Sequence, residues 1–363
     1  MIIGVPKETK EQEDRVGLLP SGVEVLVESG HTVVVEWGAG AGSGYPDDEY
    51  RFAGATMVSG PREVFDRADL IVKVKEPLSS EIPLLRSGQI LLTYLHLAAN
   101  RVLTEQLLDS GVTAIGYETV EKGGKLPLLE PMSEIAGRMS VVVGAVHLAR
   151  HNGGRGVLLG GVPGVLPGKV VVIGGGTSGV NAARMASGLG AEVTILEVDL
   201  ERMRFLDITM HHTHTLYSTE ANLKELLPRV DLLIGAVLVP GSKAPKLIDR
   251  DMLREMQPGS VLVDIAIDQG GCVETSRPTT HQNPVFVEEG VNHYCVANMP
   301  AAYSRTATQA LTNVTFPYIQ RLAEEGVDAA CDSDPSLAKG VNLRAGEIVC
   351  PAVAAAYGMR DAD

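Results

Sequence analysis

Nowhere does this chain run apolar for long enough to cross a bilayer. Its most hydrophobic stretch, residues 157–176, is broken by Pro163, Pro167 and several glycines, far short of the ~18 apolar residues of a spanning helix. Cysteine is scarce: Cys272, Cys295, Cys331 and Cys350 are widely spaced and form no CxxC pair. That spacing argues against a disulfide frame or a zinc site and for reduced thiols. No basic block offsets the net charge of −14, so nucleic acid is not an expected partner. The opening MIIGVPKETKEQEDR turns charged within seven residues, unlike a secretory signal. A soluble, cytoplasmic protein without a membrane partner is the expectation. What is present is ordinary globular composition, 45% hydrophobic and 21% charged, over 363 residues, enough for two domains with separate cores.

The most informative stretch is Lys169–Glu197, KVVVIGGGTSGVNAARMASGLGAEVTILE. Val170–Ile173 has the β-branched composition of a buried parallel strand. Gly174, Gly176 and Gly179 follow in G-x-G-x-x-G spacing, then a helix-compatible segment, then the apolar run Val193–Leu196 ending in Glu197. Strand, glycine turn, helix, strand and acid stand in the order that a dinucleotide fold requires. Gly174 lets the chain turn sharply, Gly176 lets a pyrophosphate approach the backbone, and Gly179 lets the helix lie close to the sheet. Glu197 can accept from both ribose hydroxyls and would repel a 2′-phosphate, which favours NAD over NADP.

Around this unit the chain alternates. Strands are expected at Ile2–Val5, His31–Glu36, Leu70–Val74, Ile90–Leu95 and Thr113–Tyr117, with helical spacing at Pro20–Ser29, Ser59–Arg67, Glu81–Leu85 and Leu103–Asp109. Such alternation marks an α/β domain with a largely parallel sheet. The glycine-rich Ala39–Gly44 leads into YPDDEY rather than a helix start, so it reads as a flexible loop. Pro131–His151 reads as a long bridging helix with Ser133 as its N-cap. Further strands are expected at Leu232–Val239, Val261–Ile267 and Val291–Val296. The Rossmann domain then spans about Ser133–Pro300. The helical segment after Ser304 has no evident strand of its own and packs back on the first domain, making that domain discontinuous, 1–132 with 301–363. The expected fold class is α/β: two Rossmann-like doubly wound domains with a cleft between them.

In open parallel sheets, ligands bind beyond the carboxyl ends of strands. Lys73, Lys75, His96 and Glu118 all stand at such ends. Histidine is the side chain best suited to proton transfer near neutral pH, which makes His96 the candidate. Lys75 and Arg15 suit a small carboxylate, the arginine able to grip it bidentately; the plain alternative for Lys73 and Lys75 is a solvated strand end. Asp268 follows the Val261–Ile267 run, where an acid could orient the ribose or influence proton transfer, with the more buried Asp264 as its alternative. His211, His212 and His214 have weakly zinc-like spacing, but no local glutamate or cysteine completes a site, and a solvated turn is favoured over a metal.

Read whole, the chain resembles the alanine dehydrogenase family, which also includes the NAD-binding domain of proton-pumping nicotinamide nucleotide transhydrogenase. GVPKETK, EDRV, KVKEP, LHLAA, YETV, PMSEIAGR, VVVIGGGTSG, GAVLVPG, VDIAIDQGG, SRPTT and YCVANMPA carry the resemblance over essentially the full length. It implies reversible oxidative deamination of L-alanine to pyruvate and ammonia, with NAD, no metal, and a homohexamer. It implies Arg15 and Lys75 as substrate-binding residues and His96 and Asp268 as the catalytic pair. The NAD contacts it implies are Ser133, Gly174, Gly176, Thr177, Ser178, Gly179, Glu197, Arg202, Ser218, Val237 and Leu238. Ile265, Ala266, Ile267, Asp268, Arg277, Val296, Ala297, Asn298 and Met299 complete that set. The chain departs from the family pattern at Gln12, Gly17 and Leu19, which bears on substrate selectivity. The alternative activity is that of a transhydrogenase NAD-binding subunit.

Overall fold

The computed structural model describes residues 1–237 and 244–358. Two compact units result: Met1–Met132 with the segment from Ala301 on, and Ser133–Pro300. In the first, β1 (Ile2–Val5), β2 (Thr32–Glu36), β3 (Thr56–Val58), β4 (Leu70–Val72), β5 (Ile90–Thr93) and β6 (Thr113–Gly116) are short aliphatic runs. The second holds β7 (Lys169–Ile173), β8 (Glu192–Glu197), β9 (Thr213–Tyr217), β10 (Leu232–Gly235), β11 (Val261–Asp264), β12 (Val285–Glu288) and β13 (Val291–Tyr294). The chain then returns to the first unit with β14 (Val341–Arg344) and β15 (Glu347–Ile348).

One sheet has the order β15-β14-β6-β5-β4-β1-β2-β3, the other β12-β13-β11-β10-β7-β8-β9. Each therefore contains the doubly wound arrangement in which the first strand lies centrally and the chain winds outward to both sides. The reason is legible in the strands. In the second unit Val170 and Val172 of β7 face one core with Ile195 and Ile234. Val171 and Ile173 face another with Leu196 and Leu233. A strand buried on both faces needs consecutive apolar residues, and parallel sheets under two helix layers supply that environment.

Several expected elements differ. The strands expected to end at Val74, Leu95 and Tyr117 end at Val72, Thr93 and Gly116, because the apolar runs continue into turns that stay buried. The Val261 strand ends at Asp264, and Ile265–Gln269 forms a 3₁₀ turn, so Asp268 stands in that turn rather than at a strand end. The segment after Ser304 does own strands: β14 pairs antiparallel with β6, and β15 with β14. The hairpin between them turns on Ala345 and Gly346, both with positive φ (51° and 79°), the backbone of a tight two-residue turn. Alanine there gives no sequence signal. Within residues 39–44, Ala41–Ser43 forms a packed 3₁₀ turn and not a loose loop; a Cβ on Gly42 would stand 2.5 Å from Asp14 Oδ1.

Lys73 is the largest departure. It is 1% exposed, because it directly follows β4, which lies between β1 and β5 and has no solvated edge. Its ammonium bonds Glu8 Oε2 at 3.1 Å and Glu81 Oε1 at 2.9 Å. Burial works against its charge, but the two carboxylates carry its pKa above the ordinary lysine value. Glu8 Oε1 also accepts Val74 N–H at 2.6 Å and Lys75 N–H at 3.2 Å, and Glu81 Oε2 accepts Leu78 N–H at 2.8 Å. Removing one member of a buried ion set leaves the others uncompensated. Lys73→Ala is therefore expected to lower unfolding stability by about 3–5 kcal/mol, read by urea denaturation; a loss under 1 kcal/mol would contradict the network's role.

Candidate active site

The first unit gathers its charged groups at one edge. Strands β6, β5, β4 and β1 are adjacent and parallel, and beyond their carboxyl ends come Glu118, His96, Lys75 and Arg15 in turn. Arg15 is 2% exposed. Glu13 takes its Nε and Nη2 at 2.6 Å each, and its Nη1 stands 3.0 Å from Met132 Sδ. Burial opposes the guanidinium charge, yet the Glu13 bonds hold its pKa above the ordinary value. Glu13 thus covers the Nε–Nη2 edge of the guanidinium and fixes its orientation.

His96 has a positive φ (52°, ψ 35°), uncommon for a residue with a side chain. The cause is next door. Thr93 pairs with Gly116 at the end of the ladder, and two residues on the strands part. There the Glu118 carboxylate replaces the ladder, accepting Leu95 N–H at 3.0 Å and His96 N–H at 2.6 Å. This leaves the His96 side chain exposed, stacked on Tyr94 with ring centroids 6.0 Å apart. Tyr94 donates to Leu128 O at 2.6 Å and meets Tyr117 edge-on, so the imidazole leans on a fixed platform. Lys75 is half-buried, its carbonyl accepting from Thr93 Oγ1 at 2.8 Å. Sequence reading missed Glu13 and Tyr94, and gave Glu118 no role; an acid two residues before Arg15 was the available signal. Gly17 lies against β4, where a Cβ would stand 3.0 Å from Val72 O.

The second unit's edge is built on glycine. Gly174 has φ +97°, and a Cβ there would stand 2.8 Å from Ala236 O; at Gly179 it would stand 1.8 Å from Gly174 O. At Gly176 a Cβ would meet nothing within 4 Å, so the backbone is open on that side. The helix Thr177–Gly188 begins immediately after, and its first-turn N–H groups point outward with no intrahelical acceptor. Open backbone and a helix start make a fitting cradle for a pyrophosphate. Glu197 closes it from β8: Oε2 accepts Gly175 N–H at 2.7 Å, and Oε1 accepts Val198 N–H at 2.7 Å. Arg202 Nε donates to Gly175 O at 2.6 Å.

Of the remaining predicted contacts, those that follow β9, β10, β11 and β13 stand past the carboxyl ends of strands in the same sheet. Val237 follows β10, Ser218 follows β9 with its N–H on Glu197 O at 2.9 Å, and Leu238 lies outside the described residues. Ile265, Ala266, Ile267 and Asp268 form the 3₁₀ turn after β11, with Asp268 exposed. Val296, Ala297, Asn298 (φ 65°) and Met299 follow β13. Arg277 lies over the Phe286 ring at 4.2 Å. Ser133 is not an N-cap: the helix runs Glu130–Leu148, because the turn at Leu126–Glu130 already starts it and Pro131 fits its first turn. Four residues on, Gly137 lets the helix approach the cradle, where a Cβ would stand 2.1 Å from Ser178 O. His211, His212 and His214 are exposed, the last on strand β9. Among the described residues no group of three or more His, Cys, Asp or Glu side chains is placed to hold a metal, and no helix is long and apolar enough to cross a membrane.

Comparison with known proteins agrees with this geometry. Residues 4–136 match the family described as "Alanine dehydrogenase/PNT, N-terminal domain" and residues 140–351 its "C-terminal domain". The chain is 53% identical to an alanine dehydrogenase of Mycobacterium tuberculosis over 361 residues, covering 99% of this chain and 97% of that one. A solved L-alanine dehydrogenase superposes with a TM-score of 0.95 at 53% identity, covering 99% of both chains. A transhydrogenase from Sinorhizobium meliloti reaches 0.82 at 26% identity over 97% of this chain and 100% of that one. The chain belongs to the alanine dehydrogenase/PNT family.

Proposed function

We propose that this chain catalyses the reversible oxidative deamination of L-alanine to pyruvate and ammonia, with NAD as its nucleotide. The observation that carries the reading is the row of Arg15, Lys75 and His96 past adjacent parallel strands of one unit. The relatives named alanine dehydrogenase at 53% identity support it. A transhydrogenase subunit needs no amino-acid pocket, and its support is the weaker 26% likeness.

In this reading residues 1–132 and 301–363 hold the substrate and residues 133–300 hold NAD. Gly174, Gly176, Thr177, Ser178 and Gly179 would cradle the pyrophosphate. Glu197, anchored on the glycine loop, would accept the adenosine ribose hydroxyls and repel a 2′-phosphate. The further contacts would be those already located, from Ser133 to Met299. When bound, NAD supplies the acceptor for the hydride that leaves the alanine α-carbon. Arg15 and Lys75 hold the alanine carboxylate and so fix where that carbon stands. Once the α-carbon is an iminium centre, His96 removes a proton from the water that adds to it, returns that proton to the nitrogen, and takes up the hydroxyl proton as ammonia leaves and the pyruvate carbonyl forms. Asp268 offsets the positive charge that develops. The resemblance to the family extends the reading to a cytoplasmic homohexamer, which light scattering checks.

Alanine-dependent NAD reduction by the isolated chain tests the activity, and its absence with intact NADH binding would overturn it. His96→Ala is expected to lower turnover by roughly 10²–10⁴-fold, the usual contribution of an acid–base group, while NADH still binds; wild-type turnover would remove His96 from the chemistry. Gly176→Val should leave the melting temperature unchanged and abolish NADH binding, whereas Gly179→Val should disturb the fold itself. Equal behaviour of the two would contradict the cradle. Glu197→Ser is expected to shift the ratio of kcat/KM for NAD and NADP toward NADP, and an unchanged ratio would sink its role in selectivity.

A further inference from the structure

Two aspartates stand four residues apart on β11 and the turn after it, and the structure separates them sharply. Asp268 is exposed on the turn. Asp264 is fully buried at the end of the strand. Its Oδ2 accepts Cys272 N–H at 3.0 Å and Val273 N–H at 3.4 Å, and its Oδ1 lies 3.7 Å from Cys272 Sγ. The carboxylate thus joins the residue where the turn begins to the residues where it ends. Within the loop, Gly270 N–H bonds Ile267 O and Gly271 N–H bonds Ala266 O, both at 2.9 Å. Space for the carboxylate is made by two glycines. A Cβ on Gly271 (φ +77°) would stand 2.6 Å from Asp264 Oδ2, and one on Gly235 of β10 would stand 2.4 Å from Cys272 Sγ and 3.1 Å from Asp264 Oδ1. From outside, Lys246 Nζ donates to Gly270 O at 2.7 Å and Val273 O at 2.9 Å.

A buried carboxylate costs stability unless it is well bonded. Burial does push the Asp264 carboxyl above its ordinary pKa, against the pull of the Val273 and Cys272 N–H bonds. An apolar residue would cap the strand at less cost, so the acid's distinctive contribution is its pair of acceptors across the loop. We infer that Asp264 is the positioning residue for Asp268: its carboxylate ties residues 264 and 272–273 together and so fixes where the Asp268 side chain stands. The inference rests on the reading of Asp268 given under the proposed function. It divides between the two acids what sequence alone left as alternatives. Asp268 meets the reacting groups, and Asp264 never does.

The test uses the full chain in four variants: Asp264→Ala, Asp264→Asn, Asp268→Asn and the Asp264→Ala/Asp268→Asn double. Asp264→Ala is expected to lower kcat by about 10–100-fold, the scale of a misplaced group, with a smaller loss of NADH affinity, because Ile265–Asp268 also border the nucleotide in the proposed reading. Asp264→Asn keeps an acceptor and the shape, and should recover most of that loss. Because Asp264 acts through Asp268, the double variant should be no slower than Asp268→Asn alone. Hydrogen exchange of the Cys272 and Val273 amides should quicken in Asp264→Ala while β7 and β8 stay protected. Losses that multiply in the double variant, or wild-type turnover in Asp264→Ala, would overturn the inference. If Asp264→Ala does not fold, Asp264→Ser, whose hydroxyl is too short to span the loop, takes its place with the same expectations. Wild-type turnover in Asp268→Asn would defeat the catalytic reading of Asp268 instead, and unchanged amide exchange in Asp264→Ala would defeat the clamp.

Discussion

A parallel strand buried on both faces has nowhere to carry a charge except at or past its end. Both sheets here obey that constraint. Their central strands read as unbroken aliphatic runs such as Val170–Ile173 and Leu232–Ile234, covered on each side by apolar cores. Polar chemistry is therefore displaced to the carboxyl edges, where successive turns emerge side by side. Neighbouring strands set the spacing of those turns at about 4.8 Å, close enough for side chains from different parts of the chain to act together. The row Glu118, His96, Lys75 and Arg15 follows from strand order as much as from residue identity.

Charges collected this way need partners of their own. The Lys73–Glu8–Glu81 set and the Glu13–Arg15 pair are almost wholly buried, and neither is placed to reach a ligand with all its atoms. Glu8 accepts the N–H groups of Val74 and Lys75, so the loop after β1 and the loop after β4 are held as one. Glu13 fixes the orientation of the Arg15 guanidinium. Glu118 does the same for the backbone of His96, holding it in a conformation it would seldom adopt alone. In the second unit Glu197 and Arg202 brace Gly175 from opposite polar groups. The acids outnumber the groups that would touch substrate, and most of them set the direction of something else.

This explains what the sequence made legible. Glycine spacing and a terminal acid announced the strand, glycine turn, helix and strand of Lys169–Glu197, because each depends on a local property: an absent Cβ, a strand end. The alternation of apolar runs announced two doubly wound sheets for the same reason. Non-local features stayed hidden. Lys73 looked like a solvated lysine because nothing nearby in sequence shows that Glu8 and Glu81 will meet it in the core. Ser133 looked like a cap because the turn that starts its helix lies upstream of Pro131. Asp268 looked like a strand end because Ile265 and Ile267 extend the apolar pattern into a 3₁₀ turn. The β14–β15 hairpin escaped because Ala345 adopts a backbone usually marked by glycine or asparagine.

That hairpin bears on the order in which the molecule can be assembled during synthesis. β6 has β5 on one side and β14 on the other, and β14 begins only at Val341. While the chain is being made, the outer edge of β6 exposes its ladder N–H and C=O groups until more than two hundred further residues have been added. The whole of Ser133–Pro300 is a continuous unit and emerges complete before that partner exists. The inserted unit is thus free to fold first, while its host waits with an open sheet edge, the feature most prone to pairing with the wrong strand. Among the described residues, the strands that come latest in the chain complete the sheet that holds the earliest.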